Sequence, residues 1–386
     1  MKKHFYLAII VLLILNFSCA QDPKPLDQEG ENSMLKEETN YEMELIFEDE
    51  NIIWSIEFFD DNSILAAVKS GTMFHYKNGK KTMIKGVPEI FLKGQGGLMD
   101  LALHPNFNEN NWVYFSYASG NDKNVGNTTI SRAKLIDNSL QNIEILYKAE
   151  PDTKKPYHFG GRIEFDNENY LYFSIGDRGN RDVYPQNINL DGGKIYRIHD
   201  DGKIPIDNPF YNKNDAKKAI YSYGHRNPQG MFKHPETGEI WTNEHGPRGG
   251  DEINKIIYNK NYGWPKVSYG TIYPYNKIKK PKYKKNHNSN GFEEPIFSYV
   301  PSIGISEIIK VPNTFISSFW QNNFLVSSLG ARSLFRVKFD EEYTKILFNE
   351  KILIGERIRD LIFLEDLNLI LLSLENSKLG ILKNLN

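Results

Sequence analysis

From Tyr41 onward one pattern recurs: an apolar strand-like run, a turn rich in Asp, Asn, Pro or Gly, and a second run of aromatic or β-branched residues. The instances are Ile53–Val68, Leu98–Tyr117, Gly161–Gly176, Gln229–Glu244, Ile305–Gly330 and Ile358–Leu374. Their turns include Asp60-Asp61-Asn62, His104-Pro105-Asn106, Asp166-Asn167-Glu168 and His234-Pro235-Glu236. Six copies at irregular intervals of about 45 to 75 residues suit radial repetition, which leaves no long sheet edge unpaired. The pattern predicts an all-β chain folded as a six-bladed β-propeller of four-stranded antiparallel sheets. Tyr41–Phe47 alternates like a strand and is placed to close the ring against the last blade. The alternative is a β-sandwich with a second domain. No linker-like change of composition interrupts residues 41–386, which favours one domain. The 22 Tyr, 23 Phe and 29 Gly fit strands and turns better than helices. A net charge of -2 gives no field that would steer nucleic acid toward the chain.

Residues 1–19 read as a targeting segment. Lys2 and Lys3 precede an uncharged apolar run, Phe5 to Leu15, that is too short to span a bilayer. Export is therefore expected. Cys19, the only cysteine, directly follows the run, so the mature chain has no disulfide framework. Its place resembles that of the lipid-modified cysteine of bacterial lipoproteins, although Asn16 stands where an aliphatic residue is usual. Simple cleavage near Ala20 is the alternative. The expected location is the periplasm, or the outer membrane by way of a lipid on Cys19. Residues 20–40 are polar and acidic and read as a flexible tether, leaving 41–386 as the folded domain.

The densest chemistry lies between Tyr221 and Pro265, which holds Arg226, Asn227, Glu244, His245, Arg248, Asp251 and Glu252 among repeated Gly and Pro. Gly-Pro and Gly-Gly steps bring backbone close to something, and GPRGGDE follows a short strand-like run. This reads either as a long surface hairpin loop, or as carbonyls and carboxylates facing a hard cation beside an Arg-Asn pair for an anion. His158 and Asp177 flank two strands joined by the turn at Asp166–Asn169. Antiparallel pairing brings their ends together, so the carboxylate can orient the imidazole for proton transfer. Arg357 and Arg359 alternate on one strand and suit a ligand with several carboxylates, or else a salt-bridged strand. A basic run between Asn261 and Pro295 holds Lys277, Lys279, Lys280, Lys282, Lys284 and Lys285. It reads as a solvated loop, with a cavity rim or a dock for an acidic electron acceptor as the sharper reading. Dinucleotide, P-loop, serine-elbow and zinc-protease signatures are all missing from the sequence.

Together, GQGGLMDLALHPNF, HFGGRIEF, SIGDRG, GHRNPQG, NEHGPRGGDEIN, NYGWP and RIRD resemble the soluble, pyrroloquinoline-quinone (PQQ)-dependent aldose sugar dehydrogenases of the glucose/sorbosone dehydrogenase family. The resemblance runs through nearly all of Tyr41–Leu385. It implies oxidation of the anomeric carbon of an aldose to a lactone, with PQQ and Ca2+ at the axis and an external quinone or cytochrome as electron acceptor. By position, it implies that His158 is the general base, held by Asp177. Gln95, Arg226 and Asn227 would lie at the quinone, with Arg226 stabilising charge on its oxygens. Arg357 and Arg359 would clamp its carboxylates. The carbonyls of Gly246 and Pro247 would ligate the cofactor's calcium, and Glu252 and Tyr262 a further calcium. One departure stands out: Gly330 occupies a position where the family has a Lys that meets the quinone. Arg332, two residues on, is the candidate replacement, and loss of one cationic contact would weaken binding by about 1–3 kcal/mol. Two other functions stay open. One is a calcium-binding propeller that has lost PQQ, and the other is a propeller lactonase. The chain is expected as a monomer or homodimer.

Overall fold

A computed structural model describes residues 41–49, 51–121, 123–273, 283–315, 318–364 and 367–384. The targeting segment with Cys19, the tether, and Lys277, Lys279, Lys280 and Lys282 lie outside these residues.

The strands form six four-stranded antiparallel sheets. Blade one is Ile53–Phe58, Ile64–Val68, Thr72–Lys77 and Lys80–Met83, and blade two is Leu98–Leu103, Trp112–Gly120, Gly126–Ile136 and Ser139–Lys148. Blade three is Ile163–Phe165, Tyr170–Ile175, Lys194–His199 and Ile220–Tyr223, and blade four is Pro228–Lys233, Ile240–Glu244, Asp251–Lys255 and Phe297–Tyr299. Blade five is Ile305–Lys310, Phe324–Ser328, Ser333–Phe339 and Ile346–Leu353. Blade six takes Ile358–Leu364, Leu369–Leu374 and Lys378–Asn384, and its fourth strand is the first among the described residues, Tyr41–Glu48. The ring thus closes where the sequence places the closure, because this strand covers the edge that Lys378–Asn384 would otherwise expose.

Each recurring hairpin of the sequence is the inner strand pair of one blade. Inner strands are buried on both faces, as Ile64–Val68 and Phe324–Ser328 are throughout. That burial makes them read as apolar runs. Outer strands such as Ser139–Lys148 are mostly exposed and carry a weaker signal. Apolar layers fill the gaps between blades. Leu65 and Ala67 meet Leu98 and Phe115 between blades one and two, while Trp241 stacks on Phe324 between blades four and five, centroids 5.5 Å apart.

One guanidinium ties the inner strands together. Arg162 donates to Asp100 at 2.9 Å, to Asp360 at 2.8 Å, and to the carbonyls of Gln229 and Arg359, and it lies 3.1 Å from Glu307. Asp360 in turn accepts from the Ile56 N–H, so blades one to six are all linked across the axis. The first strand of five blades slips register near its start, at Ile53/Ser55, Leu98/Leu101, Pro228/Gly230, Ile305/Ile308 and Ile358/Asp360. Such bulges bend a strand and re-aim its side chains. They gather at one end of the axis, where a cavity opens.

Candidate active site

The cavity holds about 390 Å3 and is built by a simple rule. Each contributing blade offers residues just before its first strand or just after its second. From the former come Gln95, His158, Arg226, Asn227, Gly304 and Arg357; from the latter come Lys69, His245, Leu329 and Glu375.

His158 sits in the left-handed backbone region at φ 59°, an arrangement that costs a non-glycine residue about 1–3 kcal/mol and persists only where its surroundings impose it. They do. Its N–H donates to Gln95 Oε1 at 2.7 Å, and its carbonyl accepts from the Arg178 N–H. A Cβ at Gly176 would collide with that carbonyl, so glycine is required there. His158 Nδ1 lies 2.6 Å from Asp177 Oδ1. Asp177 is fully buried and saturated: Oδ1 also accepts from the Gly179 N–H at 2.7 Å, and Oδ2 accepts from Trp264 Nε1 at 2.8 Å. Burial alone would raise this carboxyl, but His158, Arg226 and the Trp264 bond outweigh it and hold it below the usual range. An ionised Asp177 only accepts, so His158 Nδ1 carries the proton and Nε2 keeps its lone pair. Burial, with Arg226 adding to it, holds the imidazole below its ordinary pKa and hence neutral near pH 7.

Arg226 and Asn227 bridge blades three and four. Glu244 accepts from the Arg226 backbone N–H and, at 2.8 Å, from His225 Nδ1, which fixes the crossover. Arg226 donates to the His245 carbonyl at 3.0 Å, and Asn227 accepts from the Gly160 N–H at 3.1 Å. Arg357 and Arg359 share one carboxylate, Glu375, which bonds both guanidiniums. Arg359 also donates to Gln229 Oε1 at 2.9 Å, yet its buried Nε has no partner. Arg357 directly precedes the strand that carries Arg359, and the two face the cavity together.

Gly246 and Pro247 line the same cavity on a loop wound about Asp251. That buried carboxylate accepts from the N–H groups of Gly246 (2.9 Å), Ile303 (3.0 Å), Gly304 (2.7 Å) and Ile305 (3.1 Å). The Pro247 carbonyl accepts from Tyr273 OH at 3.0 Å and keeps a second lone pair. Glu252 and Tyr262 lie in an adjoining space of about 10 Å3, shared with Glu244, Ser268 and His287. Burial, then the neighbouring Glu244, pushes the Glu252 carboxyl well up. Close by in the same blade, Thr242 Oγ1 and Asn254 Oδ1 are buried without hydrogen-bond partners. The Tyr262 hydroxyl is committed to the Lys255 carbonyl and the Ile257 N–H, so only its backbone can serve a cation. Among the described residues no group of three or more His, Cys, Asp or Glu side chains is set to hold a metal.

The structure corrects one expectation. Arg332 is exposed, with φ 52°, and does not line the cavity, because its backbone turns to receive Ile354 and Gly355 N–H groups. Gly330 does line the cavity, but a Cβ there would meet the Ile303 carbonyl oxygen at 2.8 Å. Of the basic loop, Lys284 and Lys285 are exposed, as a solvated loop implies, and Lys285 also donates to the carbonyls of Ser268 and Gly270. Sequence reasoning assigned no role to Lys69, Gln229, His245, Trp264 or Glu375. A signal existed for Glu375: it follows a second strand whose register, Ile358 opposite Leu374, sets it against Arg357.

The family model for glucose/sorbosone dehydrogenases matches residues 50–382. Aldose sugar dehydrogenase YliI of Escherichia coli (strain K12) is 33% identical over 319 residues, covering 80% of this chain and 83% of that protein. Quinoprotein glucose dehydrogenase B of Acinetobacter calcoaceticus is 34% identical over 251 residues, 58% of this chain and 50% of its own length. Among solved structures, the apo form of the soluble E. coli aldose sugar dehydrogenase superposes with a TM-score of 0.82 at 30% identity, covering 89% of this chain and 99% of that one.

Proposed function

Because the chain belongs to the glucose/sorbosone dehydrogenase family, we propose that it is an exported quinoprotein that oxidises the anomeric C1 of aldoses to lactones. The observation that carries the reading is a neutral imidazole, oriented by a saturated aspartate, facing a cavity rich in guanidiniums. PQQ is a planar tricarboxylate, and the residues present fit it. Lys69, Arg226, Arg357 and Arg359 supply cations, the Arg359 Nε lacks a partner, and Gln95 and Asn227 supply amides. The carbonyls of Gly246 and Pro247 fit a calcium ion, a hard cation that prefers oxygen. Glu244 and Glu252, two buried carboxylates lining one small space, fit a second.

In the mechanism, His158 Nε2 takes the proton of the C1 hydroxyl. Asp177 holds the ring in the productive tautomer and stabilises the imidazolium that forms. Trp264 and Gly179 keep Asp177 from rotating away. When bound, the quinone supplies a two-electron sink for the hydride leaving C1, with calcium polarising its carbonyl. Arg226, lining the cavity with its guanidinium donating to the His245 carbonyl, would stabilise negative charge on an oxygen.

Purified protein given Ca2+ and PQQ is expected to reduce an artificial dye when supplied with aldoses, and silence across a broad sugar panel would sink the reading. The second reading, a calcium-binding propeller without PQQ, draws on the flat glycine wall at Gly304 and Gly330. It predicts that PQQ changes neither the absorbance spectrum nor the melting temperature. Export with lipidation of Cys19 is part of the proposal, motivated by Lys2, Lys3 and the apolar run after them. Mass spectrometry of the mature N-terminus tests it, and an intact residue 1 would refute it.

A further inference from the structure

The charges that line the cavity do not balance. Four cationic side chains, Lys69, Arg226, Arg357 and Arg359, face it, whereas Glu375 is the one carboxylate among its described lining residues. Glu375 is already divided between Arg357 and Arg359. Lys69 has no carboxylate within ion-pair distance among the described residues; its ammonium donates to the Gly94 carbonyl at 2.6 Å. The backbone holds it there firmly. Its N–H donates to the Ile52 carbonyl, and its own carbonyl accepts from Leu98. Its stem lies so close to Gly97 that a Cβ on that residue would strike it. Burial and the positive Arg359 both work against the ammonium, holding its pKa below the ordinary lysine value, with Glu375 partly opposing them. A cation desolvated beside another cation, with only a neutral acceptor, is stabilised most by an anion arriving from the cavity.

We propose that Lys69 is a ligand-binding residue that takes a carboxylate of the polyanionic cofactor, next to the pair made by Arg357 and Arg359. The inference rests on the quinone reading above. On the wall formed by Gly304 and Gly330, backbone meets backbone and no side chain can supply charge. The first blade supplies it instead, from the residue that follows its second strand. The same ammonium, bonded to Gly94, also braces the turn that carries Gln95.

The test is titration of the apo protein with PQQ in the presence of Ca2+, followed by quenching of tryptophan fluorescence, at low and high salt. Lys69→Met is expected to weaken binding roughly ten- to a hundredfold and to reduce its salt dependence, while Lys69→Arg stays within about threefold of the parent. Melting of each apo variant is recorded alongside. Lys69→Gln, which keeps a donor for the Gly94 carbonyl, makes the same comparison if the methionine variant melts early. Parent binding with Lys69→Met and Lys69→Gln unchanged within about twofold overturns this inference alone. Failure of the parent to bind PQQ overturns the functional reading beneath it, and the inference with it.

Discussion

Replacing Arg162 with Met tests whether the axis is held by charge rather than by shape. The guanidinium bonds Asp100, Asp360 and two backbone carbonyls and adjoins Glu307, all of them buried. Methionine fills part of the volume but leaves three carboxylates without their cation. Removing one partner from a buried ion pair costs about 3–5 kcal/mol, and that is the expected loss near neutral pH. The electrostatics point the same way. Burial already lifts the Asp100 carboxyl to about 6 even though Arg162 pulls it down. Without Arg162 that opposing pull is gone, and the Asp100 carboxyl rises further. The sign in pH follows. An acid whose folded pKa is raised contributes stability below its ordinary range and loses it as pH rises through the folded value. In the parent that loss runs up to about 6 for Asp100, and in the variant it continues to higher pH. Urea unfolding at pH 5.5 and pH 8 should therefore show a larger deficit at pH 8. A deficit under about 1 kcal/mol at pH 8, or one equal at both pH values, would refute the reasoning.

Three further outcomes follow from the site. In Asp177→Asn, the amide must turn its NH2 toward Trp264 or toward His158 and Gly179, all donors, so kcat should fall about 10^2- to 10^4-fold and the melting temperature should fall with it; stopped-flow dye reduction and thermal melting check it. The depressed His158 pKa predicts that kcat rises with pH through a value below the ordinary imidazole range and is flat above it, and a midpoint at or above pH 7 in the pH–rate profile would contradict the buried neutral base. Glu252→Gln should lower the calcium-dependent gain in melting temperature, measured with and without chelator, because the carboxylate that burial and Glu244 destabilise is tolerated as an anion when a cation neutralises it.

The fold was legible because inner strands are buried on both faces. Most of their residues are apolar, so a run such as Ile64–Val68 announces itself. Outer strands such as Lys80–Met83 face water and carry almost no pattern. The site was legible where a residue type is costly elsewhere: a His beside Gly, paired Arg, and a Gly-Pro loop. Lys69 and Glu375 escaped because a lysine or glutamate at a strand end is ordinary in isolation. Arg332 misled because sequence distance says nothing about which way a turn faces, and its backbone carries it outward.

By itself the sequence determined the number of blades, the closing strand and most of the polar groups that face the axis, since burial and turn chemistry act on nearest neighbours along the chain. Only the tertiary structure decided which charges neutralise one another. Asp100, Arg162, Glu307 and Asp360 are far apart in sequence, and so are Lys69, Arg359 and Glu375. Coulomb energies depend on distance through space and on what water has been excluded, and both exist only once the ring has closed.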